Sequence, residues 1–183
     1  MLLVDEAAGF KLVQLHAAHV AVLQAYALRN REHLEPWEPQ RSEAYYLEDY
    51  WVNLVQQRLS DQEAGQALHL LALTSDSDQV LAQCNFTNVQ FGVACSANLG
   101  YSVDSAAQGR GLMTQVLRHA LGYVFETLDL HRVAAAYMPE NEASGRVLEK
   151  LGFVREGFAR DYLRINGAWR DHVLTAKLNP AHR

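Results

Sequence analysis

Two stretches of the 183-residue chain combine residue types and spacing suited to chemistry. The first is Gln108-Gly109-Arg110-Gly111-Leu112-Met113-Thr114, which follows a strand-like segment and opens an amphipathic run. Glycines ahead of a helix let backbone N–H groups approach a ligand closely, and the first helical turn carries unpaired donors and a partial positive charge. That combination suits a phosphate or pyrophosphate, to which Arg110 adds a full charge. No Gly-Lys-Ser/Thr follows, so this is not a Walker A loop, and the third glycine of a dinucleotide fingerprint is missing. A helix-entry loop that uses glycine for geometry alone has the same residues. The second stretch is Asn141-Glu142-Ala143-Ser144, ahead of Leu151-Gly152-Phe153. Asn141 stands at an N-cap position, where its side chain accepts from the amide of Ala143 or Ser144. Ser144 then falls in the first turn, its hydroxyl close to the end of the preceding strand. Taken by itself, this is also a well-capped short helix.

Other chemistries find little support. Cys84 and Cys95 form no CxxC spacing and read as apolar thiols in strands, and nothing near Cys84 depresses its pKa. There is no Gly-x-Ser-x-Gly elbow for a serine hydrolase. His16 and His19 lack a His-Glu-x-x-His partner and read as surface histidines, so no metal is expected.

The elements that position these residues follow from periodicity. Phe10 to Leu15 alternates as a strand, and His16 to His33 carries Val20, Leu23, Ala27 and Leu28 at helical spacing. Pro36 and Pro39 stop that helix around Trp37. Ser42 is the expected N-cap of a second helix, with Leu47, Trp51, Leu54, Val55 and Leu59 on one face. Strands follow at Leu68–Leu73, Val80–Val89 and Cys95–Val103, the first pair joined by a turn at Ser75-Asp76-Ser77-Asp78 and the second pair by a hairpin around Gly92. The helix opened by the Gly-rich loop buries Met113, Val116, Leu117, Ala120, Leu121, Val124 and Phe125. Arg132–Met138 is a strand stopped by Pro139, and the Asn141–Leu151 helix ends at Gly152, a left-handed position. Val154–Ile165 and Trp169–Leu178 close on an Asn166-Gly167 type I′ turn. An antiparallel run followed by a β-α-β unit predicts a mixed α/β sheet with helices on its faces.

Composition agrees with one globular domain spanning 1–183. Hydrophobic residues make up 49% and charged residues 20%, enough to bury a core without disulfide staples. With 16 Lys+Arg against 21 Asp+Glu the net charge is −5, which does not suggest a nucleic-acid binder. Met1 to Glu6 has no basic n-region, and the longest apolar run, Val133–Met138, is far short of the ~20 residues that span a bilayer. A cytoplasmic protein with no membrane partner is expected.

Together these segments resemble the GNAT acetyltransferases, whose acetyl-CoA loop reads Gln/Arg-x-x-Gly-x-Gly/Ala. Within that family the chain is most similar to the ribosomal-protein-alanine N-acetyltransferases of the RimJ/RimL type. The residues that carry the resemblance are Asn30 through Pro39, Leu99-Gly100-Tyr101-Ser102, Gln108 through Met113, Tyr137-Met138-Pro139, Asn141 with Ser144, Asp161-Tyr162-Leu163 through Gly167, and Trp169-Arg170-Asp171-His172. The resemblance implies a GNAT fold: a mixed, mostly antiparallel seven-stranded sheet with about four helices and splayed central strands. It implies that backbone from Gln108 to Thr114 holds the CoA pyrophosphate, that Tyr101 to Val103 pairs with the pantetheine, and that a bulge at Gly100 opens the sheet. Asn141 would contact the pantetheine and Ser144 the sulfur. Trp37, Glu38, Asp161 and Tyr162 would meet the acceptor, and Asp171 and His172 would assist proton transfer. Asp171 and His172 also suit a strand-end ion pair, and Trp37 also suits a plug anchoring its loop.

The implied reaction is transfer from acetyl-CoA to the N-terminal alanine of a ribosomal protein, by a monomer or homodimer. Two departures stand out. Met113 replaces the Gly or Ala of the loop pattern, and its side chain is expected to point away while its N–H still serves. Asn98 replaces the glutamate that many members use as general base. An α-amino group of pKa about 7.7–8.0 is roughly a tenth neutral at pH 7, whereas a lysine is neutral only about 0.04% of the time, so a missing base hurts Nα-acetylation least. Direct attack without a covalent enzyme intermediate follows, the proton leaving through water to Glu38, Asp161, Asp171 or His172. The same fold could also acetylate a small amine such as a polyamine or antibiotic, or serve as an idle CoA-binding or ribosome-assembly module.

Overall fold

Strand-forming sequence alternates with helical sequence, and the computed structural model, which describes residues 3–5, 9–76 and 79–182, resolves it into one sheet covered on both faces. The strands are β1 (Leu3–Asp5), β2 (Phe10–Gln14), β3 (Leu68–Thr74), β4 (Val80–Gln90), β5 (Ser96–Val103), β6 (Arg132–Tyr137), β7 (Val154–Ile165) and β8 (Ala168–Leu178). Their order is β1-β2-β3-β4-β5-β6-β8-β7, every neighbouring pair antiparallel except β5 with β6. All seven expected strands are present, and three-residue β1 adds an eighth at the edge. Met1, Leu2, Glu6, Ser77 and Asp78 lie outside the described residues.

The helices are α1 (Val20–Arg29), α2 (Arg31–Leu34), α3 (Glu48–Glu63), α4 (Leu112–Thr127) and α5 (Glu142–Lys150). Strand β3 is buried on both faces, as a central strand covered twice must be. Its Leu68, Leu70 and Ala72 join the core under α4 and α5, and its Leu71 and Leu73 join a second core with Leu23, Tyr26, Trp51 and Val55 of α1 and α3. The expected face of α4 is buried throughout. Among the described residues no helix is long and apolar enough to cross a membrane.

Several local expectations are corrected. The first helix breaks at Asn30, and its stripe runs through Leu23, Tyr26 and Ala27, leaving Leu28 50% exposed. Ser42 makes no side-chain cap and opens a 3₁₀ turn at Glu43–Tyr46, so α3 starts only after Leu47, which is exposed. His16 caps a 3₁₀ turn, its Nδ1 accepting from the Ala18 amide (3.2 Å). Cys84 is buried, but Cys95 sits half-buried in the turn before β5 at φ 41°. No bulge occurs at Gly100: β5 stays in register with β4 from Asn98 to Val103, and the irregularity lies between Thr87 and Gln90, where Asn88 is left-handed. At the Asn166-Gly167 turn both residues have positive φ (44° and 78°), as a type I′ hairpin requires.

Candidate functional site

The sheet opens where its one parallel pair fails. Strands β5 and β6 pair only at Ser96–Arg132, Ala97–Val133 and Asn98–Ala134, then diverge. From Leu99 to Val103 the β6-facing edge of β5 therefore has no strand partner, while its other edge remains bonded to β4. Two helices begin at the mouth of this gap, α4 after β5 and α5 after β6.

The start of α4 is built by glycine. Gly109 and Gly111 have φ of 72° and 77°, in the left-handed region that costs other residues about 1–2 kcal/mol. No neighbour lies within 4 Å of a Cβ added at either, so backbone conformation rather than crowding calls for glycine. The first α4 hydrogen bond joins the Gln115 N–H to the Gly111 carbonyl (3.2 Å). The amides of Leu112, Met113 and Thr114 precede it and have no acceptor inside the helix. The side chain of Met113 is buried in the core, leaving its amide on the exposed end of the helix.

At α5, Asn141 Oδ1 accepts the Ser144 amide (3.1 Å), the expected cap. Ser144 is thereby presented to β5, and its Oγ lies 2.7 Å from Tyr101 Oη. The phenol also reaches the Ser144 carbonyl (3.2 Å), so its single hydrogen faces two acceptors. Burial pushes the Tyr101 phenol well above its usual pKa, a shift only partly countered by Ser144, so it stays protonated at neutral pH. The next residue, Gly145, is forced by contact, since a Cβ there would lie 2.8 Å from the Tyr137 ring.

A cleft of about 140 Å³ joins these parts. Its lining includes Tyr101, Ser102, Val103, Gln108, Met113, Asn141 and Ser144 on the sheet and helix side, and His33, Leu34, Trp37 and Glu38 on the opposite wall. Glu38 is the one carboxylate among the lining residues, and Arg41 holds it through Oε2 (3.1 Å). The Gln108 side-chain amide donates to His33 Nε2 (3.1 Å) across the mouth. Sequence reasoning gave His33 and Leu34 no role of their own, although both lie in the Asn30–Pro39 segment that carries the resemblance; the chain turns at Asn30 before they meet the cleft.

Gly109, Arg110, Gly111, Leu112 and Thr114 of the loop do not line this cleft, which takes only Gln108 and Met113 from it, and neither do Asp161, Tyr162, Asp171 and His172. Asp171 Oδ1 accepts the Asp161 amide (2.9 Å) where the β7–β8 register shifts between Ala159 and Leu163, with Asp161 left-handed at φ 47°. It takes up an N–H that the bulge removes from the ladder. His172 is buried, with Nδ1 against the Arg170 carbonyl (3.0 Å) and its ring against Tyr162. The same hairpin still reaches the cleft wall, because the Asn166 amide donates to the Glu38 carbonyl (2.9 Å).

Between β5 and the turn that leads to Gln108 stands Asp104, 1% exposed. Burial alone raises its carboxyl, but hydrogen bonds from Asn30, Arg29 and the Ala106 amide, with the Arg29 charge, outweigh that and hold it below the usual carboxylate range. A depressed pKa stabilises the fold above the unfolded value and loses that contribution as pH falls through the folded one. Asp104→Asn is therefore expected to be less stable than the wild type at neutral pH, with the gap narrowing once pH drops below about 4, as urea titrations at a series of pH values would measure.

Among the described residues no group of three or more His, Cys, Asp or Glu side chains could hold a metal ion. Residues 10–154 match the model of the acetyltransferase (GNAT) domain. The [ribosomal protein uS5]-alanine N-acetyltransferase of Escherichia coli K12 is 40% identical over 158 residues, 86% of this chain and 81% of that protein. Of solved structures, the ribosomal-protein-S5-alanine acetyltransferase of Vibrio fischeri superposes with a TM-score of 0.91 at 34% identity, covering 96% of both chains. RimJ of Mycobacterium smegmatis, in complex with CoA-disulfide, superposes at 0.87 and 31% identity, over 93% of this chain and 83% of that one.

Proposed function

The chain belongs to the GNAT acetyltransferase family, and from that premise we propose that it moves the acetyl group of acetyl-CoA onto the α-amino group of an N-terminal alanine, carried by a ribosomal protein such as uS5. The observation that carries this reading is the cleft where β5 parts from β6, with the Tyr101–Ser144 hydroxyl pair at its wall and the glycine-built start of α4 at its mouth. The substrates named for the Escherichia coli and Vibrio fischeri relatives support the acceptor, and the CoA species on the Mycobacterium smegmatis relative supports the donor. The proposal takes the whole chain as one acetyltransferase domain acting in the cytoplasm.

In this reading the amides from Gly109 to Thr114 receive the pyrophosphate, an anion at a helix start, and the free edge of Tyr101–Val103 pairs with the pantetheine. The neutral amine attacks the thioester carbonyl carbon. A C–N bond forms, the C–S bond breaks, and the sulfur leaves with the electron pair as thiolate. The surplus amine proton goes to Glu38, directly or through one water, and from there to solvent. When the Tyr101 hydrogen points to Ser144 Oγ, the Ser144 hydrogen is released to bond the departing sulfur. Asn141 positions Ser144, and Trp37 with Glu38 forms the acceptor wall. Asp161, Tyr162, Asp171 and His172 act at one remove, shaping the hairpin whose tip grips the Glu38 backbone.

Mass spectrometry of a peptide that begins with alanine and contains an internal lysine, incubated with enzyme and acetyl-CoA, tests the acceptor. One acetyl group on the α-amine is expected. Transfer to lysine or to a polyamine in preference would point to a different acceptor class, and CoA binding without any transfer would point to an idle module.

A further inference from the structure

We propose that Asp104 is a positioning residue that holds the cofactor loop and the acceptor wall of the cleft to one another; the assignment of those two roles rests on the reading above. Asp104 follows the last residue of β5 and meets both segments. Its Oδ1 accepts the Ala106 amide (2.9 Å), which shapes the turn leading into Gln108 and the two glycines. Its Oδ2 accepts Arg29 Nε (2.7 Å) and Asn30 Nδ2 (3.1 Å) from the end of α1.

Asn30 completes the joint. It is fully buried, and its Oδ1 accepts the Ser105 amide (2.8 Å) while its Nδ2 also reaches the Tyr26 carbonyl (2.9 Å). Asn30 is also the residue at which the first helix breaks, and His33, Trp37 and Glu38 reach the cleft only because of that break. One buried carboxylate thus fixes the helix break on one side and the glycine loop on the other. The side-chain bond from Gln108 to His33 also joins these segments but is solvent-exposed and contributes far less, and the Tyr26 hydroxyl bonds Ser102 Oγ (2.9 Å) on the strand rather than the loop. Arg29 anchors the joint to the sheet through the Val80 carbonyl (3.0 Å), and Asp104 does so through its own amide on the Leu81 carbonyl (2.8 Å).

A merely structural role would cost stability and nothing else, so a matched control is needed. Asn179 is buried away from the cleft and bonds the Phe125 (3.2 Å) and Leu130 (3.0 Å) carbonyls. The experiment compares Asp104→Asn, which keeps the shape but not the charge, with Asn179→Ala. Hydrogen exchange on the free protein and titration with CoA are the two readouts, both at temperatures where each variant is folded. In Asp104→Asn, exchange rises about tenfold in residues 105–112 and 31–37 together, and CoA affinity and acceptor KM each weaken about fivefold or more, with kcat changed less. Asn179→Ala lowers Tm without either effect. Faster exchange in one segment only, or in neither, overturns the proposal. So does an Asp104→Asn protein with wild-type CoA affinity and a lowered Tm. Should the wild type itself not bind CoA, the cofactor reading fails, while the exchange comparison still decides whether Asp104 couples the two segments.

Discussion

Ser144→Ala is expected to lower kcat about 10- to 100-fold while leaving CoA affinity within about threefold, a loss at or below the lower end of the roughly 100- to 10,000-fold range for general acid–base groups. The bounds follow from the leaving group. A thiol of pKa about 8.5 departs as thiolate more readily than an alkoxide, so a hydrogen bond to it contributes less than full general acid catalysis does. The loss falls on kcat because the sulfur gains its charge only as the C–S bond breaks. Tyr101→Phe tests the same arrangement from the other side. It removes the partner 2.7 Å from Ser144 Oγ and leaves the serine free to turn back to its own helix, so a smaller fall in kcat is expected. If Ser144→Ala instead raised KM for acetyl-CoA and spared kcat, the hydroxyl would be a cofactor contact rather than a partner of the departing sulfur.

The second large effect is expected at Gly111. Valine there meets a φ of 77°, strained by about 1–2 kcal/mol for ordinary residues and more for a β-branched one. The loop relieves this strain by turning, which takes the first α4 amides off their present direction. Each hydrogen bond from such an amide to a charged group is worth about 1.5–3 kcal/mol, so losing one raises KM for acetyl-CoA about 10- to 100-fold. The fold should survive, because nothing lies within 4 Å of the added Cβ and Leu112, Met113 and Val116 remain packed in the core. Initial-rate kinetics at saturating acceptor, with circular dichroism for the fold, check this. Unchanged KM would mean that the glycine serves only helix entry.

Much of the scaffold is legible because it is written in short-range pattern. The α4 face follows a 3.6 period, the Asn166-Gly167 turn follows from two residues that tolerate positive φ, and Asn141 caps α5 as its residue type and place predict. The site is less legible because its decisive contacts join distant residues. Tyr101 and Ser144 lie 43 positions apart, and Asn30 and Ser105 lie 75 apart, so neither pair leaves a period or motif. Leu28 shows the limit on a helix: it is apolar and next to the stripe, yet the buried face runs through Leu23, Tyr26 and Ala27 and leaves it exposed. His172 and Asp171 show it on a hairpin. Their residue types suggest acid–base work, but a register shift takes Asp171 as partner to a backbone amide and buries His172 beneath Tyr162. Glu38 stands in the Pro36-Trp37-Glu38-Pro39 segment that carries the resemblance, but the sequence ranks it no higher than Asp161, Asp171 or His172 as a proton acceptor, and only the folded wall brings it to the cleft.

The central claim, that the gap between β5 and β6 seats the thioester donor, is tested most directly by a crystal structure of the protein with CoA. The account predicts the pyrophosphate on the amides from Gly109 to Thr114, the pantetheine alongside Tyr101–Val103, and the sulfur within hydrogen-bond reach of Ser144. CoA bound elsewhere on the sheet, or with its sulfur directed away from Ser144, would contradict it.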